Sequence, residues 1–407
     1  MERTEERVPV GRVLARRNFW PYFAGNLLSS SGTWFQNIAQ VLLVYRLTGS
    51  SFLVGVVNFS QFAAIIFLAP VAGNAADRFD RRRLVVATQI SASVLAASLA
   101  VITAAGEATP AIVIGVALAL GVTLALSTPA LQAIVPSLVS RAEMPAAVAL
   151  TAVSFNLSRA LGPITAVLVI ARFDIAMAFA LNSLSYLALV AAMFAIKDRE
   201  IREPVSGRPR LRDSLTMVRS SPALFAPLLV VGLVSLSADP VNTLTPAFST
   251  DVYGRPDTFT GWLVGAFGAG AVVAAFTVSG KWTPSYRLIV VTLAMLGGGI
   301  ATFALSSNEV VGVVALFVAG IGFLSSVTAS TSLLHMEIGE SHRGRVMALW
   351  SLSFHGSRPI GSLVDGALAS LATIHVAGLV MAGPAFVGSL GLLLRLAKRN
   401  VRTERRT

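Results

Sequence analysis

Four ionisable side chains stand inside long apolar segments, where charged residues are rare. Asp239 precedes Pro240 in the middle of one segment, and Arg159, Arg358 and Asp365 lie within two others. Because a charge is costly to bring into hydrocarbon, such residues usually pair with one another or face water, and they mark ion or substrate pathways. A proline also frees backbone carbonyls that can line a cavity. These residue types indicate the binding and release of a proton or a charged solute.

Each of these residues also has a structural interpretation. Asp239 can be a neutral or arginine-paired acid that holds a broken helix together. Asp365, near the outer end of its segment, is expected to reach the membrane surface. The alternative for Asp365 is a relay or water-bridged pair with Arg358, seven residues earlier on the same helix face and about 10 Å away. For Arg159 and Arg358, contact with cargo and contact with neighbouring helices are equally favoured.

The elements that must hold these residues are transmembrane helices. The chain has 407 residues, of which 55% are hydrophobic and 13% are charged, well below the charged share of soluble proteins. Apolar runs of about 20 residues, enough to cross about 30 Å of hydrocarbon, recur along the chain. The twelve predicted spans are 19–45, 52–75, 84–106, 110–135, 146–170, 174–196, 223–249, 258–280, 286–307, 310–334, 346–371 and 374–396. This pattern predicts an all-α membrane protein.

An internal repeat divides these spans into two halves. The residues around Arg159 recur around Arg358 at a constant spacing of 199, and the longest polar interruption falls between the sixth and seventh spans. The repeat pairs Ser154, Phe155, Ser158, Arg159 and Gly162 with Ser353, Phe354, Ser357, Arg358 and Gly361. The small residues among them, four apart, are expected to be helix-packing stripes. We predict an amino-terminal segment at 1–18, six-helix bundles at 19–196 and 223–396 with pseudo-twofold symmetry, a linker at 197–222 and a tail at 397–407.

Basic residues are concentrated on one side of the predicted membrane. With the amino terminus inside, the inner segments hold 27 of the 32 Lys and Arg, and the outer loops hold three. This asymmetry predicts a multi-pass protein of the cell membrane, plasma or inner, with both termini in the cytoplasm. The net charge of +12 is then explained by contact with anionic membrane lipid, and nucleic acid is not expected as a partner.

The sequence argues against an enzyme. It contains no cysteine, no His-Glu-x-x-His motif and no phosphate-binding loop of the ATP-using type. We therefore expect no catalytic residues, no metal site and no cofactor. A non-transporting receptor or scaffold on the same fold is a further class, and it predicts no flux in a transport assay.

The loop between the second and third spans carries a recognisable pattern. Gly73 is followed by the Asp77-Arg78 pair and by the basic cluster at 81–83. This loop resembles that of major facilitator superfamily transporters. Further motifs at Asn26–Asn37, Thr128–Pro136 and His342–Leu349 resemble the branch with macrolide efflux proteins and the enterobactin exporter, the transmembrane secretion effector type. The resemblance implies the major facilitator fold, with twelve transmembrane helices in two six-helix halves.

The resemblance also implies functional residues. Asp77 is expected to latch the cytoplasmic side, with Gly73 allowing helix ends to approach and Arg78 and Arg81 beside it. The alternative is that Asp80 caps the next helix and the arginines at 81–83 hold phospholipid headgroups. Helices 1, 4, 7 and 10 surround the central cavity in this family. The polar candidates for its lining are Asn26, Gln36, Asn37, Gln132, Asn242, Ser326 and Ser330. Groups of this kind also join helices, so only part of this set should touch cargo.

Taken with the resemblance, the sequence predicts a secondary active transporter. We expect a monomer that exports a small amphipathic molecule, such as an antibiotic, drug or siderophore, by alternating access coupled to protons. An importer of the same fold is the alternative, because the Asp77 loop does not distinguish direction. The chain departs from proton-linked drug exporters of the superfamily in having no Lys or Arg between Arg83 and Arg141, where those proteins often carry an arginine in helix 4.

Overall fold

The computed structural model describes residues 9–196, 211–277, 283–338 and 343–404, which form helices and contain no strand. They fall into two compact units. The first combines Met1–Leu43 with Ala63–Ser206, and the second combines Val44–Phe62 with Gly207–Thr407. The hairpin formed by residues 44–62, at the junction of the first two long helices, therefore groups with the second unit rather than with the rest of the first six helices.

The helices in the first half of the chain follow the predicted spans closely. They are α1 (Val10–Leu14), α2 (Phe19–Thr48), α3 (Ser51–Arg78), α4 (Arg81–Ala104), α5 (Pro110–Leu138), α6 (Met144–Arg172) and α7 (Ile175–Ala195). Several of these helices begin at a capping side chain. Asp80, Thr109 and Asp174 each accept a backbone N–H from the first turn of the helix that follows.

The second half of the chain is also helical, with one interrupted helix. Its helices are α8 (Leu211–Ser220), α9 (Pro222–Ser237), α10 (Pro240–Thr243), α11 (Thr245–Ala247), α12 (Thr260–Thr277), α13 (Tyr286–Leu305), α14 (Glu309–Glu337), α15 (Arg343–Leu371) and α16 (Ile374–Glu404). The seventh predicted span is split among α9, α10, α11 and a π-turn at Phe248–Val252. Within the linker, only the part from residue 211 onward belongs to the described residues.

Among the described residues, ten helices are long and apolar enough to cross a membrane. The other two helices that coincide with predicted spans, α2 and α15, are not among these ten. They carry many of the polar positions singled out from the sequence. The all-α membrane fold is therefore confirmed, and α2 and α15 are the helices in which many of the candidate functional residues lie.

Small residues let helices within each unit approach closely. In the first unit, a Cβ atom on Gly162 would stand 2.7 Å from the Cβ of Trp34, and Ser158 lies 3.1 Å from Ser31. In the second, a Cβ atom on Gly232 of α9 would stand 3.4 Å from the Ser357 hydroxyl of α15. The expectation that the small-residue stripes are packing surfaces is confirmed at these contacts.

The chain before α2 is held to the first unit by an ion pair. Arg16 donates to Glu143 at 2.8 Å, and Ser140 donates to the same carboxylate through its N–H at 2.9 Å and its hydroxyl at 2.7 Å. Desolvation raises the pKa of Glu143, but the hydrogen bonds from Ser140 and the contact with Arg16 outweigh it and leave this pKa below its ordinary value. Glu143 is therefore an ionised anchor for the Arg16 segment.

Candidate functional site

The second unit holds a buried cluster of charged residues at the interruption of the seventh span. Asp239 lies between α9 and α10, and because Pro240 has no N–H, the Leu236 carbonyl is instead met by the Asp239 N–H at 3.1 Å. The Asp239 carbonyl accepts N–H groups from Asn242 at 2.8 Å and Thr243 at 3.2 Å. The helix is thus interrupted at Asp239 and resumes at Pro240.

Asp239 is 2% exposed and has several polar neighbours. Its carboxylate accepts a hydrogen bond from the Thr243 hydroxyl at 3.0 Å, and its charge is opposed by Arg358 of α15. The hydroxyl of Ser362 lies within hydrogen-bonding reach of the same carboxylate, although it also donates to the Arg358 carbonyl at 3.0 Å. A single hydroxyl proton serves only one of these acceptors at a time.

Arg358 is 5% exposed and sits between the acid and an aromatic ring. Its guanidinium carbon is 4.4 Å from the ring centre of Phe62, at the end of the hairpin formed by residues 44–62. A cation over a ring face is attracted by the ring quadrupole, and this attraction strengthens away from water. The ring and the carboxylate therefore both stabilise this buried charge.

Asp365 joins the same cluster, and the expectation that it reaches the membrane surface was wrong. Its side chain is 0% exposed, and its carboxyl group faces that of Asp239 within hydrogen-bonding reach. Neither Asp365 oxygen has a hydrogen-bond donor among the described residues. The reason for its burial lies in the hairpin. At Gly366, one residue further on, a Cβ atom would stand 2.8 Å from the Phe52 backbone.

The repeated arginine of the first unit has a different partner. The guanidinium carbon of Arg159 lies 5.5 Å from the Trp34 ring centre, and Trp34 also packs edge-on against Phe155. Trp34 contacts Gly162 just as Asp239 contacts Gly361, where a Cβ atom would stand 3.1 Å from the Asp239 Cβ. The two arginines therefore occupy equivalent places in the repeat and both lie beside an aromatic ring, and Arg358 also faces an acid.

The predicted cavity-lining residues have mixed surroundings. Gln36 accepts a hydrogen bond from Asn182 of α7, and Ser326 is joined to Thr292 of α13 at 2.7 Å, so both contribute to helix packing. Gln132 is exposed and Asn26 half-buried, while the remaining three, Asn37, Asn242 and Ser330, are buried. The Ser330 hydroxyl has no partner among the described residues. Gln40, one helical turn after Gln36 on the polar side of the same helix, is fully buried, and neither of its amide atoms has a described partner.

The predicted latch is only partly described. Asp77 lies in α3, but its side chain is outside the described residues. Among the described residues, a Cβ atom on Gly73 would meet nothing within 4 Å, and the close approach expected there stays a prediction. Arg78 is exposed, Asp80 caps α4 by accepting the Arg83 N–H at 2.9 Å, and Arg81 donates to the Ala133 carbonyl at 3.3 Å.

Four contributors to the cluster were not singled out in the sequence. Thr243 and Ser362 are each one helical turn from a predicted residue, so the four-residue spacing from Asp239 and Arg358 is a usable signal. Asn58, whose amide is 3.5 Å from the Thr243 hydroxyl, and Phe62 come from the distant hairpin. Their apolar surroundings in the sequence give no signal of this role.

The fold has well-matched counterparts among solved structures. A mutant of the nucleoside transporter NupG gives a TM-score of 0.72 at 13% identity, covering 93% of this chain and 99% of that chain. A bacterial homolog of the human lysosomal transporter Spinster gives a TM-score of 0.73 at 11% identity, covering 92% of this chain and 95% of that chain. At these identities the likeness establishes the fold. The chain is a multi-pass membrane protein of the major facilitator type.

The chain belongs to the transmembrane secretion effector family, whose model matches residues 13–405. It is therefore a transporter and not an enzyme, as the sequence predicted. It is 23% identical to the staphyloferrin A transporter of Staphylococcus aureus over 351 residues, covering 84% of this chain and 87% of the relative. It is 20% identical to macrolide efflux protein A of Streptococcus pyogenes over 360 residues, covering 86% of this chain and 89% of the relative. It is also 25% identical to the enterobactin exporter EntS of Salmonella typhimurium over 400 residues, covering 96% of this chain and 94% of the relative.

Proposed function

We propose that this transporter exports a small amphipathic molecule, an antibiotic, drug or siderophore, by alternating access driven by protons. The observation that carries the proposal is the buried pair of Asp239 and Arg358 at a break in a membrane-crossing helix. Purely structural helix contacts do not need charges at such a place, whereas ion pathways do. The names of the macrolide, enterobactin and staphyloferrin relatives support the class of cargo.

In this proposal the two arginines have separate tasks. Arg358 neutralises the ionised Asp239, and its hold on the acid weakens when a proton is taken up at this site. Arg159, half-buried beside Trp34, is the more accessible cation and is assigned to cargo. The lining of the path includes Asn37, Asn242 and Ser330, with Gln40 added because its amide group is buried without a described partner.

The remaining expectations belong to the same proposal. The protein works as a monomer in the cell membrane with both termini in the cytoplasm, and its basic inner loops contact anionic lipid. Asp77, with Arg78 and Arg81, latches the cytoplasmic side. Asp77→Asn should then abolish transport while leaving membrane insertion unchanged, and unchanged transport would remove the latch.

The test uses purified protein in lipid vesicles and a panel of macrolides and siderophores. A pH gradient imposed across the membrane should drive one of these compounds against its own gradient, and a proton-conducting ionophore should abolish the movement. Cells lacking the protein should retain the same compound. Uptake in place of extrusion by intact cells would identify an importer. The absence of flux for every compound, with correctly folded protein, would favour the receptor class.

A further inference from the structure

We propose that Asp239 and Asp365 share a single proton, which Asp365 holds and Asp239 accepts as a hydrogen bond, and that this pair is the proton-binding site of the transporter. The coupling role rests on the proposed function, whereas the shared proton is a property of the folded protein alone. The assignment differs from the simpler one in which Asp239 itself carries the proton.

Hydrogen-bond accounting gives the first argument. Asp239 has Thr243 as a donor at 3.0 Å, the Ser362 hydroxyl within reach and Arg358 as its opposite charge. Asp365 is fully buried, and neither of its oxygens meets a donor among the described residues. Two ionised carboxylates only accept hydrogen bonds, so their contact is a hydrogen bond only if one of them carries a proton. The acid without donors is the one that gains most from that proton.

Charge balance gives the second argument. Among the described residues, the charged groups that face each other here are Asp239 from the break after α9 and Arg358 and Asp365 from α15. The hairpin contributes Asn58 and Phe62, which do not titrate. With both acids ionised the buried cluster carries one net negative charge, and with one proton it is neutral. Neutrality is strongly preferred where water is excluded, as in carboxylate pairs that share one proton.

The surroundings favour a proton over a metal cation. A sodium or divalent ion needs several oxygen ligands arranged around it. Here the Thr243 hydroxyl directs its hydrogen at Asp239, and the nearby Arg358 charge repels a second cation. A proton needs only the two facing carboxyl groups.

The pair of Asp239 and Asp365 releases one proton to water and takes one up again in each cycle. When the cluster meets water on one side of the membrane, the O–H bond of Asp365 breaks and the proton passes to water, leaving two carboxylates opposed by Arg358. When it meets water on the other side, a proton is taken up by one carboxylate and the neutral cluster re-forms. One proton is therefore bound and released per cycle at this site.

Infrared spectroscopy of the purified protein tests the shared proton without any cargo. A protonated carboxyl group has a C=O stretch distinct from that of a carboxylate, and it shifts in deuterated water. At neutral pH the wild type should show this band and Asp365→Asn should lose it, while Glu107→Gln, an exposed acid in an outer turn, should leave it unchanged. Asp239→Asn should also lose the band, because Asp365 is then the acid that balances the buried charge of Arg358 and neutrality requires it to be ionised. A band that persists in Asp365→Asn would overturn the proposal.

Two further measurements separate this proposal from the proposed function. Replacing choline by sodium at constant ionic strength should leave the band intact, and its loss would mean that a metal cation binds instead. In vesicles, the ratio of the transport rate with a pH gradient to the rate without one should fall to unity in Asp365→Asn, and an unchanged ratio would overturn the coupling role. A wild type with the band but without gradient-driven transport would support the shared proton and refute proton-driven export.

Discussion

The backbone of Gly361 lies directly against the side chain of Asp239, and a methyl group added at Gly361 would stand 3.1 Å from the Asp239 Cβ atom. The same position in the repeat, Gly162, lies against Trp34. Because glycine allows α15 to approach the helix break, the acid is held against the helix that carries Arg358 and Asp365. The charge cluster therefore depends on a missing side chain as much as on the charges.

Gly361→Ala should weaken transport by displacing the acid. A Cβ–Cβ separation of 3.1 Å is too short, so Asp239 has to move by a few tenths of an ångström. We expect a stability loss of about 1–3 kcal/mol, typical of overpacking, and a larger relative fall in transport. Thermal unfolding in detergent and flux in vesicles measure the two effects. Gly383→Ala, where the added methyl meets nothing within 4 Å, is the matched control, and equal effects of both variants would refute the role of the contact.

Asp239→Asn should destabilise the protein by more than the loss of a surface ion pair. The change leaves the 5% exposed Arg358 facing Asp365, whose oxygens have no described donor, in place of the hydrogen-bonded Asp239. Removing one partner of a buried pair costs about 3–5 kcal/mol, whereas replacing both partners by apolar or neutral groups is often tolerated. The double variant Asp239→Asn, Arg358→Leu should therefore recover most of the lost thermal stability but no gradient-driven transport. A double variant as unstable as the single one would contradict this account.

The sequence predicted the helices and the identity of the charged residues, but not their pairing. Asp239, Arg358 and Asp365 were recognisable because ionisable groups are rare in apolar segments. The burial of Asp365 was missed because its depth was judged from its position along the helix. Its actual cover is the hairpin at residues 44–62, far away in the chain, which contacts Gly366 and places Phe62 over Arg358. Contacts of this range leave no trace in local periodicity.

Glu143 should make the attachment of the first residues dependent on pH. Because its pKa is lower in the folded state, its contribution is fully present above the ordinary value of 4.5 and is lost as the pH falls through the lowered folded value. The chain has no cysteine, so Gly11→Cys, at an open position, accepts a unique fluorophore. Its anisotropy should fall below about pH 4.5. When Glu143→Gln is combined with the labelled Gly11→Cys, the anisotropy should be low and change little with pH. The same pH transition with and without Glu143→Gln would exclude Glu143 as the cause of the transition.

Gly320→Ala should be among the most damaging single-methyl changes in the second unit. A Cβ atom on Gly320 of α14 would stand 2.0 Å from the Phe267 carbonyl oxygen, and one on Gly270 of α12 would stand 2.0 Å from the Phe317 carbonyl oxygen. These are reciprocal contacts with backbone atoms, which cannot turn aside as a flexible side chain can. The two helices must separate, so we expect a loss at or above the upper end of the usual overpacking range of about 1–3 kcal/mol.

The control for this prediction is Gly298→Ala in α13, where the added methyl meets nothing within 4 Å. Alanine is favoured over glycine inside a helix by about 1 kcal/mol, so this variant should be neutral or slightly more stable. Thermal unfolding in detergent, followed by the loss of monodisperse protein on gel filtration, compares the two variants directly. If Gly320→Ala unfolds at the wild-type temperature, α12 and α14 are not in the contact described, and the packing of the second unit has to be reconsidered.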